Sequence, residues 1–389
     1  MPSTLHLLIV DNTLGRRLAG GEYHILRVIK EWEKHVNVTM FASKLFASSN
    51  SRLIPNKVHV KDPIPSLDVN EAKLFTMIAM IRAFFVMFSR ITGYYDVIVA
   101  PSHYVFHVLP CMFLKLRRRG GLVVVYFHDI LITTDNPLRT VLSTAHNLLG
   151  FFLVRLSADL VFVINESARK NCLRFGIKKE KIVMMSNAVD VISPIRDDSH
   201  IKPLEFDACF LGRLVKNKGV SDLLHLWKIL CCKNPDAQLA IIGDGPEKER
   251  MNKLIKRIGI EHNVTLFGFV SEDEKYRILT NSKVYVFPSY LESWGIALAE
   301  AMACGLPVVA YALPVYEEVF DDKLVTVPLG NVDAMDKQVE FLLENPESAR
   351  KVGEEGREFV KRYDWSVVAK RELSEIIALR GRVYGRQSQ

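Results

Sequence analysis

The sequence lacks the cysteine pairs and the long apolar runs that define several protein classes. Its six cysteines include no pair with Cys-x-x-Cys spacing, so we expect reduced, buried thiols rather than a disulfide scaffold. No run reaches the roughly 20 apolar residues that a membrane-spanning helix needs. Residues 5–10 have the composition of a strand, without the basic segment of a secretory leader. These features predict a cytoplasmic protein, either soluble or peripheral on the cytoplasmic face of a membrane.

The sequence also lacks the common short motifs of hydrolases and nucleoside triphosphatases. It contains no H-E-x-x-H, no Walker A sequence, no G-x-S-x-G and no cluster of cysteine with histidine. Zincins, P-loop NTPases, α/β-hydrolases and structural zinc sites are therefore disfavoured. We found no module in which basic and aromatic residues alternate, so nucleic acid is not an expected partner.

The composition is that of a globular protein whose positive charge is concentrated in one half. The 389 residues are 49% hydrophobic and 24% charged, and the net charge is +7. Residues 1–190 contain 24 basic and 14 acidic residues, whereas residues 191–389 contain 27 basic and 30 acidic residues. This length fits two domains, and the asymmetry predicts that the first half meets an anionic partner.

Short apolar runs alternate with helix-length segments along the whole chain. The runs are uniformly apolar, which is typical of parallel strands covered by helices on both faces. They lie at residues 5–10, 36–41, 97–100, 122–127, 160–164, 182–185, 209–211, 239–242, 264–267, 284–287, 308–310 and 324–327. The pattern predicts an α/β fold with two Rossmann-like, doubly wound domains facing each other across a cleft. We expect domains at residues 1–190 and 203–364, with a helix over residues 365–389 packing back on the first.

Chemistry in such a fold is expected where parallel strands end. After the run 284–287, a loop carries Glu292 and Gly295, and Glu300 follows early in the next helix. Gly295 precedes the first helical residue, Ile296, and a helix N-terminus binds anions such as phosphate. The spacing leaves a second interpretation open, in which Glu292 is a solvated loop residue and Glu300 lies on an ordinary helix face.

Two further loops carry candidate ligand-binding residues. In the loop after residues 209–211, Gly212 permits a sharp turn, and Arg213 and Lys218 are two cations suited to a diphosphate. In the first half, Gly20 and Gly21 begin a helix, where small residues allow a ligand to approach the backbone. His128 follows the run 122–127 and can donate a hydrogen bond or act as a base. Each feature also has a purely structural interpretation, as a solvated basic loop, a flexible glycine loop or a packed histidine.

Taken together, these motifs resemble one enzyme family over nearly the whole chain. The similarity rests on G-R-L…K-G at 212–219, I-G-D-G-P-E at 242–247, F-G-F-V at 267–270 and E-x7-E from Glu292 to Glu300 with its continuation A-M-A-C-G-L-P-V-V. The chain resembles the retaining GT-B glycosyltransferases of family four, also called group-one glycosyl transferases. The resemblance implies transfer of a sugar from a nucleotide-diphosphate donor, without a bound metal or other cofactor, and with retention of the anomeric configuration.

The resemblance also implies roles for the candidate residues. Arg213 and Lys218 would hold the diphosphate, Glu300 the ribose and Glu292 the donor sugar. The remaining donor contacts would be the amides near Gly295 and Ile296, the turn at Gly212, and Gly20, Gly21 and His128 from the other domain.

The acceptor is expected to be a lipid-linked molecule or a saccharide. A basic cluster at Lys115, Arg117, Arg118 and Arg119, and the apolar residues 74–88, suggest contact with an anionic membrane surface. Two alternatives remain open at this point: a sugar epimerase or phosphorylase on the same scaffold, and a sugar-nucleotide-binding protein without catalytic activity.

Overall fold

The chain forms two structural units. The computed structural model describes residues 5–11, 20–61, 93–117, 120–128, 137–191 and 205–384. The first unit comprises Met1–Asn187 and Trp365–Gln389, and the second comprises Ala188–Asp364. Most of residues 191–202, between the two predicted domains, lies outside the described residues, as do the apolar residues 74–88, Arg118 and Arg119.

The first unit contains a parallel sheet of seven strands in the order β3-β2-β1-β4-β5-β6-β7. The strands are β1 (His6–Val10), β2 (Asn37–Phe41), β3 (His59–Lys61), β4 (Tyr95–Ala100), β5 (Gly120–Phe127), β6 (Leu160–Val163) and β7 (Ile182–Met184). The central strands are buried on both faces, since their aliphatic side chains face helices above and below.

Helices connect these strands and cover the sheet. They are α1 (Gly20–Trp32), α2 (Lys44–Ser49), α3 (Val105–Leu116), α4 (Pro137–Ser157), α5 (Glu166–Arg174) and, from the end of the chain, α13 (Trp365–Tyr384). Helix α13 packs on α1, where Trp32 Nε1 donates a hydrogen bond of 2.8 Å to the Ala369 carbonyl. The last helix is therefore part of the first unit.

The second unit repeats this plan with a parallel sheet of six strands in the order β10-β9-β8-β11-β12-β13. Its strands are β8 (Phe206–Leu211), β9 (Leu239–Ile242), β10 (Val264–Gly268), β11 (Ser282–Phe287), β12 (Val308–Tyr311) and β13 (Val325–Val327). Its helices are α6 (Val220–Lys233), α7 (Lys248–Ile258), α8 (Glu272–Thr280), α9 (Ile296–Ala303), α10 (Pro314–Phe320), α11 (Val332–Glu344) and α12 (Pro346–Val360).

The predicted architecture of two Rossmann-like, doubly wound domains is confirmed, and each of the twelve apolar runs overlaps a parallel strand. Strand β3 was not predicted from the sequence. This strand has three residues, pairs only with β2 among the described strands, and leaves Val60 38% exposed. A short edge strand carries little of the apolar pattern that identifies a central strand.

Within the described residues, no helix combines the length and apolar character needed to span a bilayer.

Candidate functional site

The loops at the carboxyl end of the second sheet lie against one another. Strand β8 sits between β9 and β11, so the strand order reverses there, as at the ligand-binding crevice of doubly wound sheets. The Leu214 amide donates to the Asp244 carbonyl at 3.0 Å, and the Tyr290 amide donates to the Asn217 carbonyl at 2.7 Å. These bonds tie the loops after β8, β9 and β11 into one surface.

Close backbone packing between two of these loops depends on Gly219. This residue has a φ of 63°, and a Cβ built on it would lie 1.9 Å from the Pro288 carbonyl oxygen. A side chain therefore fits neither the left-handed backbone nor the space beside Pro288. The glycine lets the basic loop approach the loop that carries Glu292.

Lys218 and Glu292 form an ion pair at this edge. Their side chains are 19% and 11% exposed, so the pair is largely shielded from water and each charge depends on the other. Ser289 Oγ donates to Glu292 Oε1 at 2.9 Å, and the Lys218 ammonium lies 5.2 Å from the centre of the Phe287 ring. The structure thus brings together two predicted site residues, and it adds Ser289, which directly follows a strand end.

Arg213 and Gly212 lie on the same loop as Lys218. Arg213 is exposed, in contrast to Lys218. Lys216 is exposed as well, although it shares the short 3-10 turn Lys216–Lys218 with the ion-paired lysine. The loop therefore presents one shielded cation and one exposed guanidinium whose planar fork suits phosphate oxygens.

Helix α9 begins at this edge with Gly295 and Ile296. Gly295 has a φ of 103° and immediately precedes the helix, and Ile296, its first residue, is 38% exposed. The first amides of a helix have no carbonyl partner within their own helix and carry a partial positive charge. This predicted anion-binding turn lies in the chain between Glu292 and Glu300.

Glu300 is paired with a lysine that was not identified from the sequence. Lys275 of α8 lies 2.7 Å from both Glu300 and Glu272, so two carboxylates share one ammonium. Burial raises the pKa of Glu300, even though Lys275 opposes the shift. The predicted ribose-binding carboxylate is therefore held by Lys275, while Glu292 is held by Lys218. The polar segment E-D-E-K in α8 carries no strand-end signal, which is why Lys275 was missed.

The first unit brings Gly21 and His128 together. His128 follows β5, and a Cβ built on Gly21 would lie 3.0 Å from the His128 ring. Burial lowers the pKa of His128 to about 3, and the neighbouring His24 acts in the same direction. His128 is thus neutral at pH 7. Its Nε2 atom is buried and has no hydrogen-bond partner within the described part of the chain. Gly20, the other predicted glycine, is the first residue of α1.

A buried polar network lies behind His128. His24 Nε2 is 2.8 Å from Glu372 Oε1, and Tyr126 donates to Glu372 Oε2 at 2.7 Å. The His24 ring centre lies 6.0 Å from that of His128, and the Tyr126 ring stacks on His128 at 6.1 Å. Glu372 belongs to the C-terminal helix and is fully buried. The end of the chain therefore sets the position of the side chains that support His128.

Three further polar residues at the carboxyl ends of the first sheet were not predicted from the sequence. Asp11 follows β1, and His107 Nε2 lies 3.6 Å from its carboxylate. His103 follows β4, with Nε2 2.6 Å from Asn147 Oδ1, and burial lowers the pKa of His103 to about 4. The sequence did indicate the two histidines, because the segment P-S-H-Y-V-F-H comes directly after a buried strand.

Two family profiles match almost the whole chain. The profile of the glycosyl transferases group 1 matches residues 192–359, and the profile of Glycosyltransferase Family 4 matches residues 18–192.

Curated relatives match parts of the chain. A phosphatidylinositol N-acetylglucosaminyltransferase subunit of Arabidopsis thaliana is 25% identical over 69% of this chain and 64% of its own length. A phosphatidyl-myo-inositol mannosyltransferase of Mycobacterium leprae is 37% identical over 41% of this chain and 43% of its own length. The chain thus spans about half the length of these curated relatives.

Solved structures share the fold over nearly the full length. The Anabaena protein HepE in complex with UDP and glucose covers 96% of this chain and all of its own, with a TM-score of 0.71 and 18% identity. A sucrose-phosphate synthase of Thermosynechococcus elongatus gives the same TM-score at 17% identity, covering 96% of this chain and 99% of its own. With two Rossmann-like units and both family profiles matched, the chain belongs to the group-1 glycosyltransferases of the GT-B fold.

Proposed function

We propose that this protein is a retaining glycosyltransferase that moves a sugar from a nucleoside-diphosphate donor to a lipid-linked or saccharide acceptor. The observation that carries the proposal is the carboxyl edge of the second sheet, where Arg213, the Lys218–Glu292 pair and the start of α9 lie on adjoining loops. These groups match a donor that has an anionic end and a hydroxyl-rich end. The second unit, within residues 203–364, would bind this donor.

The leaving diphosphate would be stabilised by fixed cations and amides. Lys218 would exchange part of its interaction with Glu292 for a phosphate oxygen, and Arg213 would supply a second cation. The amides near Gly295 and Ile296 would contact the phosphate farther from the nucleoside. Positive groups placed where negative charge develops are the largest single source of stabilisation in many transferases. In this proposal they act without a resident metal or other cofactor.

The remaining site residues would orient the sugars. Glu300, held by Lys275, would accept hydrogen bonds from the ribose hydroxyls, and Glu292 would contact the donor sugar. In the first unit, the acceptor-side domain, the partly exposed and neutral His128 would hydrogen-bond a sugar hydroxyl, and Gly20 and Gly21 would let the sugar approach the backbone. A neutral imidazole suits hydrogen bonding to a hydroxyl better than pairing with a phosphate.

Group transfer would proceed on one face of the donor sugar. The bond between the anomeric carbon and the diphosphate oxygen breaks as the acceptor oxygen bonds to that carbon from the same face. The acceptor proton passes to the departing phosphate oxygen, so charge and atoms balance. The anomeric configuration is retained in this sequence of events.

Three relatives support a lipid-linked acceptor, since two are named as transferases of phosphatidylinositol compounds and the third as an alpha-monoglucosyldiacylglycerol synthase. The excess of basic residues in the first half supports the same proposal, because such residues attract anionic headgroups. We accordingly propose a protein that works at the cytoplasmic face of a membrane.

A donor screen followed by product analysis tests the proposed function. Thermal unfolding is recorded with UDP, GDP, ADP and their sugar conjugates, and a true ligand at a hundredfold excess over Kd adds about 2.7 kcal/mol to the free energy of unfolding. The selected donor is then incubated with lipid-linked and saccharide acceptors, and the anomeric signal of the product is read by NMR.

We expect release of the nucleoside diphosphate and a product with the donor's configuration. An inverted product would contradict retention. A product that requires inorganic phosphate would indicate a phosphorylase, and an isomerised donor without transfer would indicate an epimerase. Binding without turnover for any acceptor would favour a sugar-nucleotide-binding protein.

A further inference from the structure

Helix α4 exposes an apolar stripe on the first unit. Its members are large apolar side chains that are between 47% and 64% exposed, namely Val141, Leu148, Leu149, Phe152 and Leu156. Their spacing of three and four residues places them on one side of the helix, together with the exposed Ala145. The opposite side, including Phe151 and Val154, is buried in the core. A surface helix normally carries charged or polar residues where this stripe lies.

The stripe carries no negative charge. Helix α4 contains neither aspartate nor glutamate, and its charged residues are Arg139 and Arg155. Arg155 is exposed and lies at the end of the stripe, beside Leu156. From Val141 to Leu156, the described part of the exposed side of α4 is therefore mainly apolar, with Thr144 as its polar exception, and it is cationic at its C-terminal end.

The end of α3 extends this surface. The ammonium of Lys115 donates to the Ser157 carbonyl at 3.0 Å, which places the last turn of α3 beside the last turn of α4. Leu116 is 71% exposed there, and Arg117 is exposed next to it. Lys115 itself is paired with Asp159 at 2.6 Å. Of the predicted basic cluster, Lys115 thus forms an ion pair within the unit and Arg117 is exposed, and Arg155 of α4 is a further exposed cation.

We propose that the α4 stripe and the end of α3 are the surface by which this protein docks on an anionic lipid bilayer. Apolar side chains would enter the boundary between headgroups and acyl chains, and Arg117 and Arg155 would meet the anionic headgroups. A symmetric contact between two copies of the stripe would bring Arg155 of each copy into an interface to which α4 contributes no carboxylate, and an unpaired charge is costly to bury. This inference rests on the proposed function, because a lipid-linked acceptor requires access to a membrane.

Flotation with vesicles tests the docking surface. The full-length protein is mixed at low salt with vesicles of phosphatidylcholine alone or with 30% phosphatidylglycerol (about one anionic lipid in three), and the bound fraction is measured after centrifugation. The test variant is Leu148→Ser with Phe152→Ser. The matched control is Val367→Ser with Ile377→Ser, which removes two apolar side chains of similar exposure, 48% and 51%, from α13.

We expect the parent and the control to float with anionic vesicles, and the Leu148/Phe152 variant to bind about tenfold less at equal Tm. Arg155→Glu should weaken binding to anionic vesicles and leave binding to neutral vesicles unchanged. Failure of the parent to float, or equal flotation of the two double variants, would overturn the proposal.

Two other outcomes would assign the stripe to a different occupant. A dimer that the Leu148/Phe152 variant dissociates, seen by light scattering, would identify a second copy. A lowered Tm of that variant without any vesicle binding by the parent would identify another part of this chain. Binding of the selected nucleotide is measured on the same samples. Intact nucleotide binding with no flotation contradicts only the docking surface, whereas flotation without nucleotide binding contradicts only the proposed donor site.

Discussion

The two units share a doubly wound plan and carry different chemistry where their strands end. The second unit has charges that neutralise one another in pairs, Lys218 with Glu292 and Lys275 with Glu300. The first unit has eight of the eleven histidines, of which His103 and His128 are kept neutral by burial. The edge of the second unit is suited to a charged diphosphate, because a bound phosphate can replace Glu292 as the partner of Lys218. The other edge is suited to neutral hydroxyls, which exchange hydrogen bonds. We accordingly propose that the second edge meets the diphosphate of a nucleotide-sugar and that the first meets sugar hydroxyls.

The strongest change is predicted for Glu292, at the carboxyl edge of the second sheet. Glu292→Gln removes the carboxylate that holds Lys218 and, in our proposal, contacts the donor sugar. We expect transfer to fall by about 10²–10³-fold, the typical loss when one preorganised polar partner of the transition state is removed. Steady-state kinetics measure the change. Glu249→Gln, at an exposed position of α7, should leave the rate unaltered, and equal losses in the two variants would refute the role of Glu292.

The next effect concerns the buried network around Glu372 in the first unit. Glu372→Ala removes the buried acceptor shared by His24 and Tyr126, and we expect the first unit to lose about 3 kcal/mol, since both partners remain buried without it. Hydrogen exchange locates the change. Amides of α1 and β5 should exchange faster, while the second sheet is unchanged. Glu375→Ala, three residues farther along the same helix, serves as the control. Similar exchange in both variants would show that the network contributes nothing.

A smaller effect distinguishes backbone conformation from close packing in the second unit. Gly219→Ala and Gly259→Ala both introduce a side chain at a left-handed residue, with φ of 63° and 68°. A Cβ on Gly259 meets nothing within 4 Å, whereas one on Gly219 meets the Pro288 carbonyl. Gly259→Ala should lower the free energy of unfolding by about 1 kcal/mol. Gly219→Ala should lower it by about 2 kcal/mol more and should also weaken donor binding. Denaturant unfolding measures both, and equal costs would mean that the close approach is not needed.

The weakest of these effects is the response of the first unit to mild acid, through His128. The folded pKa of His128 is lowered to about 3 from an ordinary 6.5, so the unfolded chain takes up the proton first. The contribution of the neutral His128 side chain to the free energy of unfolding is fully present above pH 6.5 and is lost as the pH falls towards 3. Between pH 6.5 and 5.5 the loss is about 1 kcal/mol. His128→Gln should flatten the pH dependence of unfolding by that amount. An unchanged slope would show that the pKa of His128 is the same in the folded and unfolded protein.

The sequence predicted the sheets and the loops because both depend on local patterns. Uniformly apolar runs mark buried parallel strands, and turns with glycine mark their ends, so Gly295 and Glu292 could be assigned to one edge without coordinates.

Partners supplied by distant segments could not be predicted in this way. Glu372 is 348 residues from His24 in the chain, and Lys275 reaches Glu300 from a different helix. The exposed stripe of α4 was missed for a related reason, since apolar residues occur all around this helix and only the fold determines which of them are buried.

In our proposal, the Lys218 side of the second unit binds the diphosphate of the donor. Calorimetric titration of the full-length protein with the nucleoside diphosphate chosen by the donor screen tests it directly, using Lys218→Met and Lys216→Met. These lysines lie two residues apart in one short turn, and only Lys218 is paired with Glu292. We predict that affinity falls about tenfold or more for Lys218→Met, the loss of one charge-assisted contact, and is unchanged for Lys216→Met. Equal affinities for both variants and the parent would contradict the claim.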